Sequence, residues 1–175
     1  ATTVVMFEII AEGAMNAETP QQVMFKKFLQ RLGYSTVSTV AIMEYELEAF
    51  ERLDTVKRSI EETGADYGQV SSNAGEFRRY VIRAMEEKLG YTKEEASYFL
   101  KSAVEKYETL SPADFAQRCV DYTKKSGNRL VFIIDEIGQY VVSVRSSDDR
   151  ILALQGVAEM LSSKGNGAVW LIVTS

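Results

Sequence analysis

Leu130-Val131-Phe132-Ile133-Ile134-Asp135-Glu136 is the stretch on which the reading of this chain turns. Five consecutive apolar residues, rich in β-branched and aromatic types, are too few for a helix and suit a buried strand. A run that is continuous rather than alternating predicts cover on both faces, as in a parallel sheet. Two carboxylates stand at its C-terminal end, and in open parallel sheets ligands bind outside the carboxyl ends of the strands. Successive strand residues point to opposite faces, so Asp135 and Glu136 are placed for two different tasks. An aspartate there can organise the water shell of Mg²⁺, and a neighbouring glutamate can polarise an attacking water. Acidic residues also end ordinary buried strands where these meet the surface, so the pattern alone leaves both readings open.

Two further apolar runs flank this one, over residues 3–10 and 169–174, and with 130–135 they predict three strands. The short step from the second to the third, with one helix between, implies a right-handed parallel crossover. Residues 169–174 close on Thr174-Ser175, the polar pair expected where a side chain would sit beside a γ-phosphate, although Thr-Ser is also ordinary turn chemistry. The chain opens and closes on candidate buried strands, whereas termini usually lie at the surface. It therefore reads as an excised part of a longer protein.

The stretch over about 20–126 carries helical spacing and predicts a large helical insertion. Phe25, Phe28, Leu29 and Leu32 share a face that ends at Gly33, and Ile42, Tyr45, Ala49, Phe50 and Leu53 form a second stripe. Residues 64–73, GADYGQVSSN, are rich in turn formers and predict a mobile connection. Phe77, Tyr80, Val81, Ala84, Met85 and Leu89 follow, closed by Gly90. Thr92 and Glu95 predict a capping box for a helix with Ala96, Phe99, Leu100, Ala103, Val104 and Tyr107 inward. Ser111, Pro112 and Asp114 start the next helix, whose stripe is Phe115, Ala116, Cys119, Val120 and Thr123 and which Gly127 stops. A last helix begins near Ser147 or Asp148, with Ile151, Leu154, Val157, Ala158 and Leu161 on one side.

Composition narrows the chemistry. Among 175 residues there is one cysteine and no histidine. A lone cysteine cannot staple the chain and fits a reducing cytoplasm. Without histidine, histidine-ligated zinc, Ser-His-Asp triads and Cys-His dyads are excluded within the chain. The net charge of −5 argues against non-specific nucleic-acid binding by the surface as a whole, leaving room only for a local basic patch. No apolar run approaches the ~20 residues of a membrane span. Arg78, Arg79 and Arg83 alternate with Glu86 and Glu87 and read first as a solvated helix face. No G-x-x-x-x-G-K-[ST] phosphate-binding loop is present, and Lys164-Gly165-Asn166-Gly167 lies between a helix and a strand, the reverse of the order such a loop requires.

The run LVFIIDEIGQY at 130–140, followed by Leu154-Gln155 and by the segment 169–175, VWLIVTS, resembles the BREX phage-exclusion P-loop ATPases of the BrxC/PglY family. An early strand, a helix closing on Leu32-Gly33-Tyr34, and Ala41-Ile42-Met43-Glu44 are similar in layout. The resemblance implies an α/β fold: a partial P-loop NTPase sheet of the ASCE/AAA+-like kind, about three strands, with Asp135 as the Mg²⁺-organising acid and Glu136 as the catalytic base. It puts Thr174 or Ser175 at the sensor position. ATP and Mg²⁺ would be cofactors of the parent ATPase, whose P-loop would precede Ala1, and residues 1–175 would neither bind nor hydrolyse ATP alone. Strand order five, one, four, three, two would make this chain strands two to four, the acidic strand central. The last strand would expose an edge open to self-association. Partners would be other phage-defence proteins, with DNA contacted only through the parent assembly and no membrane. The competing expectation is a non-catalytic helical interaction module whose Asp-Glu is incidental.

Overall fold

Strands β1 (Thr2–Glu8), β2 (Arg129–Asp135) and β3 (Val169–Val173) form one parallel sheet in the order β1-β2-β3. The computed structural model describes residues 1–9, 18–142 and 147–174. The acidic strand is the central one, and its register sets Glu8 beside Asp135 and Val173 beside Ile134. Thr174 falls just past the end of the third strand, and Ile10 and Ser175 lie outside the described residues.

Helices α1 (Pro20–Arg31), α2 (Ser38–Ala49), α3 (Leu53–Glu62), α4 (Tyr67–Ser71), α5 (Ala74–Leu89), α6 (Lys93–Glu108) and α7 (Pro112–Ser126) lie between β1 and β2. Between β2 and β3 lie α8 (Ile137–Val142) and α9 (Ser147–Gly165). The chain divides into a sheet unit, residues 1–31 and 110–175, and a helical unit, Leu32–Thr109. The helical stretch expected over 20–126 is thus of two kinds: α1 and α7 belong with the sheet, and only 32–109 forms a unit of its own.

Among the described residues, cover on both faces of the sheet is not present. Val5 and Phe7 are buried, whereas Val4 and Met6 between them are 39% and 66% exposed. Leu130, Phe132, Ile134 and Val169 are buried, while Trp170 and Ile172 are 55% and 46% exposed. The register lines up Val4, Val131 and Trp170 in one row and Met6, Ile133 and Ile172 in the next, so the middle of one face is apolar, with Val131 and Ile133 half-buried and the other four exposed among the described residues. The reason is topological. Both crossovers step in the same direction across the sheet, and right-handed crossovers that all step one way lay their helices on one face. A continuous apolar run in the sequence cannot distinguish a second covering layer within the chain from one supplied elsewhere.

The covered face is held by aromatics. Phe132 meets Phe115 at 5.5 Å and Phe28 at 6.1 Å between ring centroids, and all three are fully buried. Cys119 is buried in the same layer, and burial pushes its thiol far above the ordinary range, which makes it an inert core residue. The start and stop of α7 follow its sequence signals: the Ser111 hydroxyl accepts from Asp114 N–H, and Gly127 takes the left-handed conformation at φ 69°. The stripe expected on α9 is narrower than its spacing suggests. Val157 and Leu161 are buried, but Ile151 and Ala158 are exposed.

In the helical unit, Val40, Met43, Leu47, Val56, Ile60, Phe77, Val81, Met85 and Leu100 make one core. The stripe read through Ile42, Tyr45, Ala49, Phe50 and Leu53 is broken: α2 ends at Ala49, Phe50 is 51% exposed, and Leu53 opens α3. Glu51, at φ 58°, turns the chain between the two helices, a conformation nothing in the sequence announces. Phe50 instead joins Tyr91 and Phe99 around the Arg52 guanidinium, which lies 4.8–5.2 Å from the three ring centroids. The region expected to be mobile, 64–73, contains α4, capped by the Asp66 carboxylate and anchored by buried Val70. The Thr92–Glu95 capping box and the Gly90 stop are present as expected.

Candidate functional site

The C-terminal end of the sheet gathers Glu8, Asp135, Glu136 and Thr174. Asp135 ends the central strand, and its Oδ1 accepts the Glu136 backbone N–H at 2.8 Å and the Thr174 hydroxyl across the strand gap. Backbone bonds lock the same corner: Thr174 N–H donates to Ile134 O at 2.9 Å, and Ile137 N–H donates to Thr174 O at 3.1 Å. The expected pairing of the acidic strand end with the polar end of the next strand is therefore present for Thr174; Ser175 lies outside the described residues.

Two hydrogen bonds to the charged form hold the Asp135 carboxyl below the usual aspartate range, the Thr174 hydroxyl contributing more than the Glu136 amide. Because the folded-state value is lowered, the charged form contributes stability above the unfolded-state value, and the contribution is lost as pH falls through the lowered one. Thr174→Val is expected to move the Asp135 titration midpoint back up towards the ordinary range, read by NMR of its side-chain carboxyl. An unmoved midpoint would remove Thr174 from the account of this corner.

Glu136 has φ 56°, in the left-handed region that non-glycine residues rarely occupy. Such a residue persists only where its surroundings over-determine it, here through the bonds at Asp135 Oδ1 and Thr174 O. The sharp turn after the strand is made at Glu136, while Gly138 lies within α8 with no left-handed φ and open space where a Cβ would stand. The Glu136 carboxylate makes no hydrogen bond or ion pair among the described residues. Glu8, in register with Asp135 on the neighbouring strand, adds a third carboxylate at this end. Sequence reasoning passed over Glu8 because only the pairing register brings it there.

Behind the site, α8 is pinned to α9: Arg150 Nη1 donates to Tyr140 O at 2.6 Å, and its guanidinium lies 4.4 Å from the centroid of the buried Tyr140 ring. Among the described residues no group of three or more His, Cys, Asp or Glu side chains is placed to hold a metal by itself. Asp135 Oδ2, unengaged by the bonds above, and the Thr174 hydroxyl are hard oxygen donors. They suit Mg²⁺ carried with its own waters and a ligand's phosphate oxygens, the usual manner for that ion. No helix among the described residues is long and apolar enough to cross a membrane. No family model matches the chain, and no solved structure matches it.

Proposed function

We propose that this chain is the central part of a P-loop ATPase of the BREX phage-exclusion type, supplying the acidic strand and the sensor-like strand while a preceding segment supplies the phosphate-binding loop. The observation that carries this reading is the hydrogen bond from Thr174 to Asp135 at the carboxyl ends of two adjacent parallel strands, the central one acidic. Sequence alone left each half open to an ordinary explanation. A hydroxyl that orients one carboxylate oxygen and leaves the other outward is what an Mg²⁺-organising aspartate needs. Glu136, at a left-handed backbone position and free of partners among the described residues, is suited to polarise a water for attack on the γ-phosphate.

The open surfaces support the same reading. Arg31 Nε donates to Val4 O at 3.0 Å on the side of β1 away from β2, which occupies that edge in part. The outer edge of β3 carries no strand among the described residues. A strand that precedes β1 and pairs beyond β3 would have to cross the sheet against the direction of the other two crossovers. A right-handed crossover of that sense lays its helix over the open face, where Val4, Met6, Ile133, Trp170 and Ile172 await a partner layer. Mg²⁺, when bound with ATP, would neutralise charge on the phosphates; this chain's part is to hold its water shell through Asp135 and the attacking water through Glu136.

Calorimetry tests the division of labour. Mg²⁺–ATP titrated into residues 1–175 is expected to give no binding heat, because no cradle of backbone N–H groups and lysine holds the triphosphate. The same titration into the longer polypeptide with its phosphate-binding loop is expected to show binding. Tight binding by residues 1–175 alone would overturn the assignment.

A further inference from the structure

A groove of about 530 Å³ in the helical unit is lined by Gly75, Arg78, Arg79, Ile82, Arg83, Glu86 and Lys93. Six of these fall at i, i+3, i+4, i+7, i+8 and i+11 of α5, so they form one stripe along its outward side. The opposite side of α5, through Phe77, Val81, Ala84 and Met85, is buried in the core. Four cations and one carboxylate form the lining, on a protein whose net charge is −5, and Glu76 and Glu87 beside it pair with Arg79 and Arg83. The positive excess, four cations against these three carboxylates, is small and local, and the overall composition conceals it.

We propose that this groove binds the sugar–phosphate backbone of a nucleic acid strand. Three of the four cations are arginines, whose planar fork engages phosphate oxygens in pairs and holds them better than a lysine point charge. Arg79 and Arg83 stand one helical turn apart, about 6 Å along the axis, so that a chain of phosphates can be followed from one to the next. Arg78 is already braced across the groove, its Nη2 donating to Ser97 O at 3.4 Å from the next helix. The stripe begins at Gly75 in the first turn of α5, where the Asn73 side chain caps the helix by accepting from Glu76 N–H at 3.0 Å.

Arg79 and Arg83 are paired with Glu76 at 3.6 Å and Glu87 at 2.7 Å, but their side chains are 75% and 61% exposed. Exposed pairs of this kind are weak and exchange readily for a phosphate. Because the contacts are to phosphate, binding will depend on salt and hardly on sequence.

Fluorescence anisotropy with a fluorescein-labelled 20-nucleotide single strand, and with its duplex, tests this on residues 1–175 at low salt. Binding is expected for at least one of the two. Arg78→Gln/Arg79→Gln/Arg83→Gln is expected to weaken it at least tenfold and to reduce the slope of log affinity against log salt by about 2–3, one counterion per lost phosphate contact. Lys124→Gln/Lys125→Gln, at the far end of α7, is expected to leave both quantities unchanged. Far-UV circular dichroism monitors folding of the triple variant, and Lys93→Gln, across the groove, gives a second reading with an expected loss of about 1 in the slope. Absence of binding to both probes, an unaltered slope in the groove variants, or equal displacement by polyglutamate at matched charge would each overturn the proposal.

Discussion

Glu136→Gln, made in the longer polypeptide proposed to join this chain to a phosphate-binding loop, is expected to lower ATP turnover roughly 10²- to 10⁴-fold, the usual range for loss of a general base. Mg²⁺–ATP affinity is expected to stay within about twofold, since the reading gives Glu136 no contact with the resting nucleotide and a contact made only in the transition state is lost from turnover alone. Glutamine keeps the size and the left-handed backbone position but cannot take a proton. Asp135→Asn provides the contrast: it removes the charge proposed to order the Mg²⁺ shell, so Mg²⁺-dependent binding itself should fall. Steady-state turnover with equilibrium nucleotide binding separates the two outcomes. Unchanged turnover in Glu136→Gln would sink the proposed role of this carboxylate, and with it the reading of the strand end as catalytic.

Phe132→Ala is expected to destabilise the sheet unit by about 3–5 kcal/mol, the range for emptying a buried aromatic site. Phe132 is fully buried at the centre of the middle strand, with its ring against both Phe115 of α7 and Phe28 of α1. Removing it opens a void where both flanking helices meet the sheet, and neither can move in without losing the other contact. A typical domain has only about 5–15 kcal/mol of stability, so the loss takes up much of the margin. The helical unit has its own core and its own internal contacts, so it is expected to hold its structure while the sheet unit melts. Urea unfolding followed both by the single tryptophan, Trp170 on β3, and by far-UV circular dichroism would show the two signals parting in the variant. A loss below about 1 kcal/mol would contradict the central position given to this ring.

Much of the local structure was legible in the residues. The capping box at Thr92 and Glu95, the Ser111-Pro112 start, and the glycine stops at Gly90 and Gly127 act over three or four positions, where chain geometry alone ties sequence to conformation. The three strands were legible as well, because β-branched and aromatic runs of that length have few other uses. The stripe through Tyr45 and Phe50 failed for the opposite reason. Glu44 and Glu46 are buried there, Glu44 accepting from the Tyr67 hydroxyl at 2.5 Å and Glu46 from Lys106 at 3.1 Å, partners 23 and 60 residues away. No local pattern marks a carboxylate that distant partners will satisfy.

The sequence by itself determined the element types, the acidic end of a buried strand, and the chemistry that a chain without histidine can support. Tertiary structure alone decided that Thr174 would bond to Asp135, that Glu8 would stand beside it, that one face of the sheet would stay largely open among the described residues, and that three arginines would line a groove. Each of these depends on strand order, register, or the pairing of segments far apart in the chain. Hydrophobic periodicity fixes which side of an element is apolar, but which neighbour meets that side is chosen only when the whole chain folds.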